Sequence, residues 1–159
     1  MKNVISSVFL GALLTIGGAA IAAGTDADPI IGTWKLNAAK STFAGIPAYK
    51  SQIRTYSQSA RGITLKMTTV SAEGKETTTQ ATYQLDGKDF SSMGNPDFDS
   101  LSGTQIDTNT VEFTLKKGGK QIGKIRRAVS NDGRTLTINY VITNANGVQT
   151  AALTLFDKQ

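Results

Sequence analysis

The sequence predicts an all-β protein, an antiparallel up-and-down meander of about 8–10 strands closed into a barrel. Three observations carry this. Apolar residues recur with period two: Ile63, Leu65 and Met67 alternate with Thr64 and Lys66, Val111, Phe113 and Leu115 with Glu112 and Thr114, and Leu136, Ile138 and Tyr140 with Thr137 and Asn139. In an extended chain that alternation puts one face on a core and the other in water. Pairs that tolerate the positive φ of a tight hairpin separate the runs: Glu73-Gly74, Asp86-Gly87, Gly118-Gly119, Asp132-Gly133 and Asn146-Gly147. Short turns make neighbours in sequence pair in space, and a meander this long curls until its exposed edges meet.

In chain order, residues 1–22 read as an export signal. Lys2 supplies the basic start, Val4 to Ile16 the apolar stretch, and Ala20-Ile21-Ala22 a small-x-small cleavage site. Residues 23–29 form a short polar leader, and 30–159 the barrel domain. There is no cysteine for a disulfide or a lipid anchor, so the expectation is a periplasmic or secreted bacterial protein resting on its own packing. Strands are expected at 30–38, 50–58, 62–71, 76–85, 88–92, 102–107, 110–117, 120–130, 134–143 and 148–157. The first holds Trp34, the single tryptophan. Two connections are long, 38–49 and 93–100, the second with Pro96 to stop a strand. Strands alternate in direction, so both long connections fall at one end, while 59–61, 86–87, 108–109 and 131–133 make tight turns at the other. The result is a cup with a closed base and a mouth at which Phe43, Met93 and Phe98 are lid residues.

Trp34 shares a face with Leu36 and should point inward near the base. Ile125, Arg127 and Val129 share a face opposite Lys124 and Arg126, which sends Arg127 inward at a similar depth. Two readings of Arg127 stay open: a structural plug over the Trp34 indole, worth about 0.5–2 kcal/mol, or an anchor for a ligand carboxylate. Arg54-x-Tyr56 resembles the arginine–tyrosine clamp that fatty-acid-binding proteins use, but it lies on the second strand and not the last, and it reads as a solvent-facing strand pair. Trp34, Met67, Tyr83, Phe113, Arg127, Ile138 and Tyr140 are the candidate ligand-binding positions, forming either a pocket wall or a filled core. The absence of histidine and cysteine removes the commonest bases, nucleophiles and zinc ligands. Asp97 and Asp99 beside Asn95 lack a full calcium set, so no catalytic residue, metal or cofactor is assigned. The net charge is +5, with one cluster at Lys116, Lys117, Lys120, Lys124, Arg126 and Arg127. Strand alternation splits that cluster between faces, against a stripe that tracks phosphates, and no nucleic-acid partner is expected. Outward Lys66, Gln80, Gln84, Glu112 and Asn139 lack the apolar band of an outer-membrane barrel.

Gly32-x-Trp34 on the opening strand resembles the lipocalins, in which such a tryptophan plugs the floor against a basic residue from a late strand. The wider text resembles a group of small exported bacterial lipocalin-like, calycin-type proteins of unassigned function. It runs through Gly32-Thr-Trp34-Lys-Leu-Asn37, Lys40-Ser with Phe43, Tyr83 with Asp86-Gly87-Lys88, Gly94-Asn95-Pro96-Asp97, and Asp132-Gly133-Arg134-Thr-Leu136. The chain departs from lipocalins in strand number and in lacking a C-terminal helix, and from fatty-acid-binding proteins in having too short a 38–49 segment for their helix pair. The resemblance implies a non-enzymatic barrel that binds a small hydrophobic or amphipathic ligand, with its polar end at the mouth. The alternative is a filled-core interaction module, an inhibitor or envelope-assembly factor, acting through 38–49 and 93–100. A connected cavity of about 300 Å3 or more separates the two. Oligomeric state and ligand identity are open at this level.

Overall fold

A computed structural model describes residues 28–92, 97–144 and 146–159. The expected signal and most of the 23–29 leader therefore lie outside the described residues. Eleven strands follow in order: β1 Gly32–Leu36, β2 Thr42–Ala44, β3 Tyr49–Ser59, β4 Gly62–Ser71, β5 Glu76–Tyr83, β6 Asp86–Ser91, β7 Ser100–Gln105, β8 Thr110–Lys117, β9 Lys120–Val129, β10 Thr135–Thr143 and β11 Gln149–Lys158. They form one antiparallel sheet in the order β5-β4-β3-β1-β11-β10-β9-β8-β7-β6. First and last strands of the chain thus pair, and the sheet curls into a nearly closed barrel. The one seam lies between β5 and β6, which do not pair.

Two local readings change. The 38–49 connection is more ordered than a lid loop: a 3-10 turn at Ala38–Lys40 is capped by the Asn37 side chain, and β2 then continues along the same edge of β11 that β1 pairs with. Asp86-Gly87 was expected to turn the chain but lies inside β6, where the register with β7 shifts between Asp86 and Asp89. Gly87 has φ +76° there, so its positive φ serves a bulge in place of a hairpin. The expected 88–92 and 102–107 strands each start two residues early, at Asp86 and Ser100.

The core packs part of the interior. Trp34, Leu115, Leu136 and Phe156 are fully buried, with Ile30 beneath them at the base. The outward faces carry cross-strand pairs in water, Lys124 with Glu112 at 2.6 Å and Lys116 with Asp89 at 2.7 Å. The basic cluster is divided between faces, since Lys124 and Arg126 are exposed and Arg127 is buried. At Gly123, paired with Leu115 and Ile142, an added Cβ would overlap the Val141 carbonyl oxygen. Gly123→Ala is therefore expected to lower stability by about 1–3 kcal/mol, read as a shift in the urea midpoint.

Candidate ligand cavity

Inside the barrel lies a cavity of about 320 Å3. Alternation on β3 turns Gln52, Arg54 and Tyr56 into it; β4 and β5 contribute Leu65, Met67 and Tyr83; β8, β9 and β10 contribute Phe113, Ile125, Arg127, Ile138 and Tyr140. Six of the seven candidate positions are thereby brought together: Met67, Tyr83, Phe113, Arg127, Ile138 and Tyr140. Trp34 is not on the cavity wall. Of the lid residues, Phe98 lines the cavity and is buried. Phe43 sits on β2 with its ring edge-on to Tyr49 at 5.5 Å, away from the lining, and Met93 lies outside the described residues. Ile46 and Tyr49 take the place at the mouth that Phe43 was expected to hold.

The floor is built differently from the expected indole–guanidinium pair. Trp34 donates from Nε1 to the Ile30 carbonyl at 2.7 Å, and the ammonium of Lys158, its partner on β11, lies 5.1 Å from the ring centroid. Arg127 is too far along the sheet. Its row runs through Ile138 to Thr154, four residues up β11 from Lys158. Its guanidinium instead lies 5.6 Å from the Tyr56 ring centroid and 5.7 Å from that of Phe113, and Nη1 donates to the Tyr83 hydroxyl at 2.7 Å. Nη2 stands 3.9 Å from Oδ2 of Asp28. That carboxylate arrives on the turn before β1, where its other oxygen accepts from the Ile30 amide at 3.0 Å.

Arg54 is the residue that sequence reasoning placed on the wrong face. It lies opposite Trp34 in the β1–β3 ladder, so it shares the inward face. Its Nε donates to Gln52 Oε1 at 2.8 Å and its Nη1 to the Tyr56 hydroxyl at 3.4 Å. Gln52 is fully buried and donates in turn to Thr69 Oγ1 at 2.8 Å. The Arg54 guanidinium lies 5.1 Å from the Phe156 ring centroid. These partners are uncharged, and no carboxylate forms an ion pair with Arg54 among the described residues. The expectation rested on the pair's place on the second strand and not the last, and Ile53, 45 % exposed, gives that strand an apolar outer face that hides the inward arginine. Counting the pairing from Trp34 across to β3 would have corrected it.

Burial pushes the Tyr83 phenol well above its ordinary range, with the Arg127 charge opposing. Burial first, and then the charge of Asp97, pushes Tyr140 up to about 12. Both phenols stay neutral at ordinary pH and offer the cavity neutral polar atoms. Tyr83→Phe strands the Arg127 Nη1 proton in a buried site. The expected cost is about 1–3 kcal/mol of stability, measurable by chemical denaturation.

Asp99, considered above for calcium, accepts from the Gly118 amide at 2.8 Å and from Ser100 at 3.2 Å. It ties two mouth turns together.

No family model and no curated protein sequence matches the chain. Solved structures do. A zebrafish ileal bile acid-binding protein complexed with cholic acid is 12% identical and superposes with a TM-score of 0.52, covering 82% of this chain and 99% of that one. As-p18, an extracellular fatty acid binding protein, is 14% identical with a TM-score of 0.56, covering 83% of this chain and 97% of that one. At such identity the likeness establishes the fold alone, a nearly closed antiparallel β-barrel of the kind these two binding proteins have.

Proposed function

We propose that this protein is a non-enzymatic carrier for a small amphipathic carboxylate. The ligand's anionic head would sit between Arg54 and Tyr56 and its apolar part along Met67, Phe113, Ile138 and Tyr140 toward the mouth. The observation that carries this is Arg54: a half-buried guanidinium facing an apolar cavity, with only neutral partners described. Placing a cation there costs free energy unless an anion meets it, and a charge-assisted bond is strong where water is scarce. The head-group position reverses the expected orientation, because both inward arginines lie at or below mid-depth, and the mouth, lined by Ile46, Tyr49, Ser92, Asp97 and Phe98, carries a carboxylate that would repel an anionic head. The cavity volume falls at the lower end of small-molecule sites, and it counts against a filled-core interaction module. The fold is shared with proteins described as binding bile acid and fatty acid.

The test is native mass spectrometry of protein purified without denaturation, followed by titration of the delipidated barrel with tetradecanoate and tetradecanol. The acid should bind at least tenfold tighter than the alcohol, and its affinity should fall as pH drops through the carboxylate range, about 4–5, where the ligand loses its charge. Equal affinity for both would sink the carboxylate assignment. We also propose export to the periplasm or medium, supported by Lys2, the 4–16 apolar stretch and Ala20-Ile21-Ala22. N-terminal sequencing of protein recovered from producing cells should begin at residue 23, and an uncut chain would refute it.

A further inference from the structure

The cavity wall follows strand alternation on β4, β9 and β10 and breaks it on β5. Thr79 and Ala81 face inward, opposite Met67 and Leu65, while Gln80 pairs with Lys66 on the outer face and is exposed. Yet Thr79, Gln80 and Ala81 all border the cavity. In a closed wall successive residues point to opposite faces, so an outer residue meets the interior only where the wall is open. That opening is the seam, where β5 and β6 share no ladder bonds. We propose that a bound molecule enters and leaves sideways through this seam, and not past Phe98 at the mouth. The inference rests on the carrier reading above, but only on its claim that the cavity takes a small amphipathic molecule.

What has to move differs between the two routes. At the mouth Phe98 is buried, and Asp99 beside it is tied down. The Ser92 amide donates to the Asp99 carbonyl at 2.9 Å, the Asp99 amide to the Lys116 carbonyl at 3.0 Å, and the Gly118 amide to Asp99 Oδ2 at 2.8 Å. Swinging Phe98 aside strains these bonds and exposes its ring. At the seam the strands are bridged by rings. Phe90 on β6 stacks on Tyr83 of β5 with centroids 5.2 Å apart, and lies edge-on to Phe113 at 6.4 Å. Tyr83 is buried and bonded to Arg127, so the half-buried Phe90 is the ring that can swing. β6 is also the looser strand. Its register with β7 shifts between Asp86 and Asp89, around the positive φ of Gly87, and a bulge turns an edge strand away from its neighbour. A segment with few backbone bonds to lose opens at low cost.

The chain has no cysteine, so one introduced pair can be stapled cleanly. Thr78 and Ser91 are exposed on the outer faces of β5 and β6 and do not border the cavity. In the Thr78→Cys, Ser91→Cys double variant, a bifunctional maleimide with a reducible spacer holds the two strands together. Stapling should slow the release of radiolabelled tetradecanoate into phosphatidylcholine vesicles at least tenfold, and its uptake by the same factor, so that affinity changes less than threefold. Reducing the spacer should restore the rate of the unstapled variant. Asp99→Ala, which loosens the mouth, should release at the wild-type rate. Release from stapled protein within twofold of the unstapled rate, or release at least fivefold faster from Asp99→Ala, overturns the proposal. Buried-tryptophan fluorescence from Trp34 verifies that each protein is folded. Should the stapled protein prove unfolded, Phe90→Ala decides: release at least fivefold faster supports the seam, and an unchanged rate overturns it. If tetradecanol binds as tightly as tetradecanoate, the carboxylate assignment fails and the alcohol serves as the probe of the seam. If wild type binds neither, the carrier reading itself fails and takes this one with it.

Discussion

Replacing Trp34 by alanine is expected to lower the unfolding free energy by about 3–5 kcal/mol. The indole is fully buried, so its removal forfeits transfer free energy and leaves a void that the paired strands on either side hold open. It also deletes the 2.7 Å bond to the Ile30 carbonyl, which secures the turn carrying Asp28 beneath the barrel. The loss should appear as a lowered urea midpoint followed by far-UV circular dichroism, because the variant has no tryptophan to report on itself. Trp34→Phe separates the two contributions: it keeps most of the apolar volume and loses the N–H, and should cost about 1–2 kcal/mol. A Trp34→Ala variant as stable as wild type would mean that the floor is held by Ile30, Leu136 and Phe156 alone.

The barrel was legible because its signals are local and redundant. Period-two alternation in β4, β8 and β10 needs no knowledge of the rest of the chain, and neither does the glycine chemistry between strands. Strand parity then put 38–49 and the segment after β6 at one end, as the β1–β3 and β6–β7 pairings require. What could not be read locally depends on register across the sheet. Trp34 and Arg127 share an inward face, but the rows through them meet β11 at Lys158 and Thr154, and no single-strand pattern carries that offset. Arg54 failed for a related reason. β3 offers two mixed faces, one with Gln52, Arg54 and Tyr56 and one with Ser51, Ile53 and Thr55, and hydropathy favours the wrong one. A polar inward face is the mark of a site that departs from core-building rules, and hydrophobic patterning is blind to such sites.

That departure sets up opposite effects on stability and on binding, and Arg54→Gln should show both. Loss of the charge-assisted contact is expected to weaken tetradecanoate binding by about 10–100-fold, the equivalent of about 1.5–3 kcal/mol, with tetradecanol binding unchanged. The same substitution removes a half-buried cation whose described partners are Gln52, Tyr56 and the Phe156 ring, all neutral. Because desolvating an unpaired charge is unfavourable, the ligand-free variant should be at least as stable as wild type, read as an equal or higher urea midpoint. Residues kept for function often oppose stability in this way. Arg54→Lys retains the charge but loses the planar fork, so it should recover only part of the affinity. A purely structural Arg54, bracing Gln52 and Tyr56 across the strand, gives the reverse pattern: Arg54→Gln would unfold more easily and discriminate acid from alcohol as well as wild type does. The two measurements on one variant therefore decide whether the inward guanidinium is there for the barrel or for what the barrel carries.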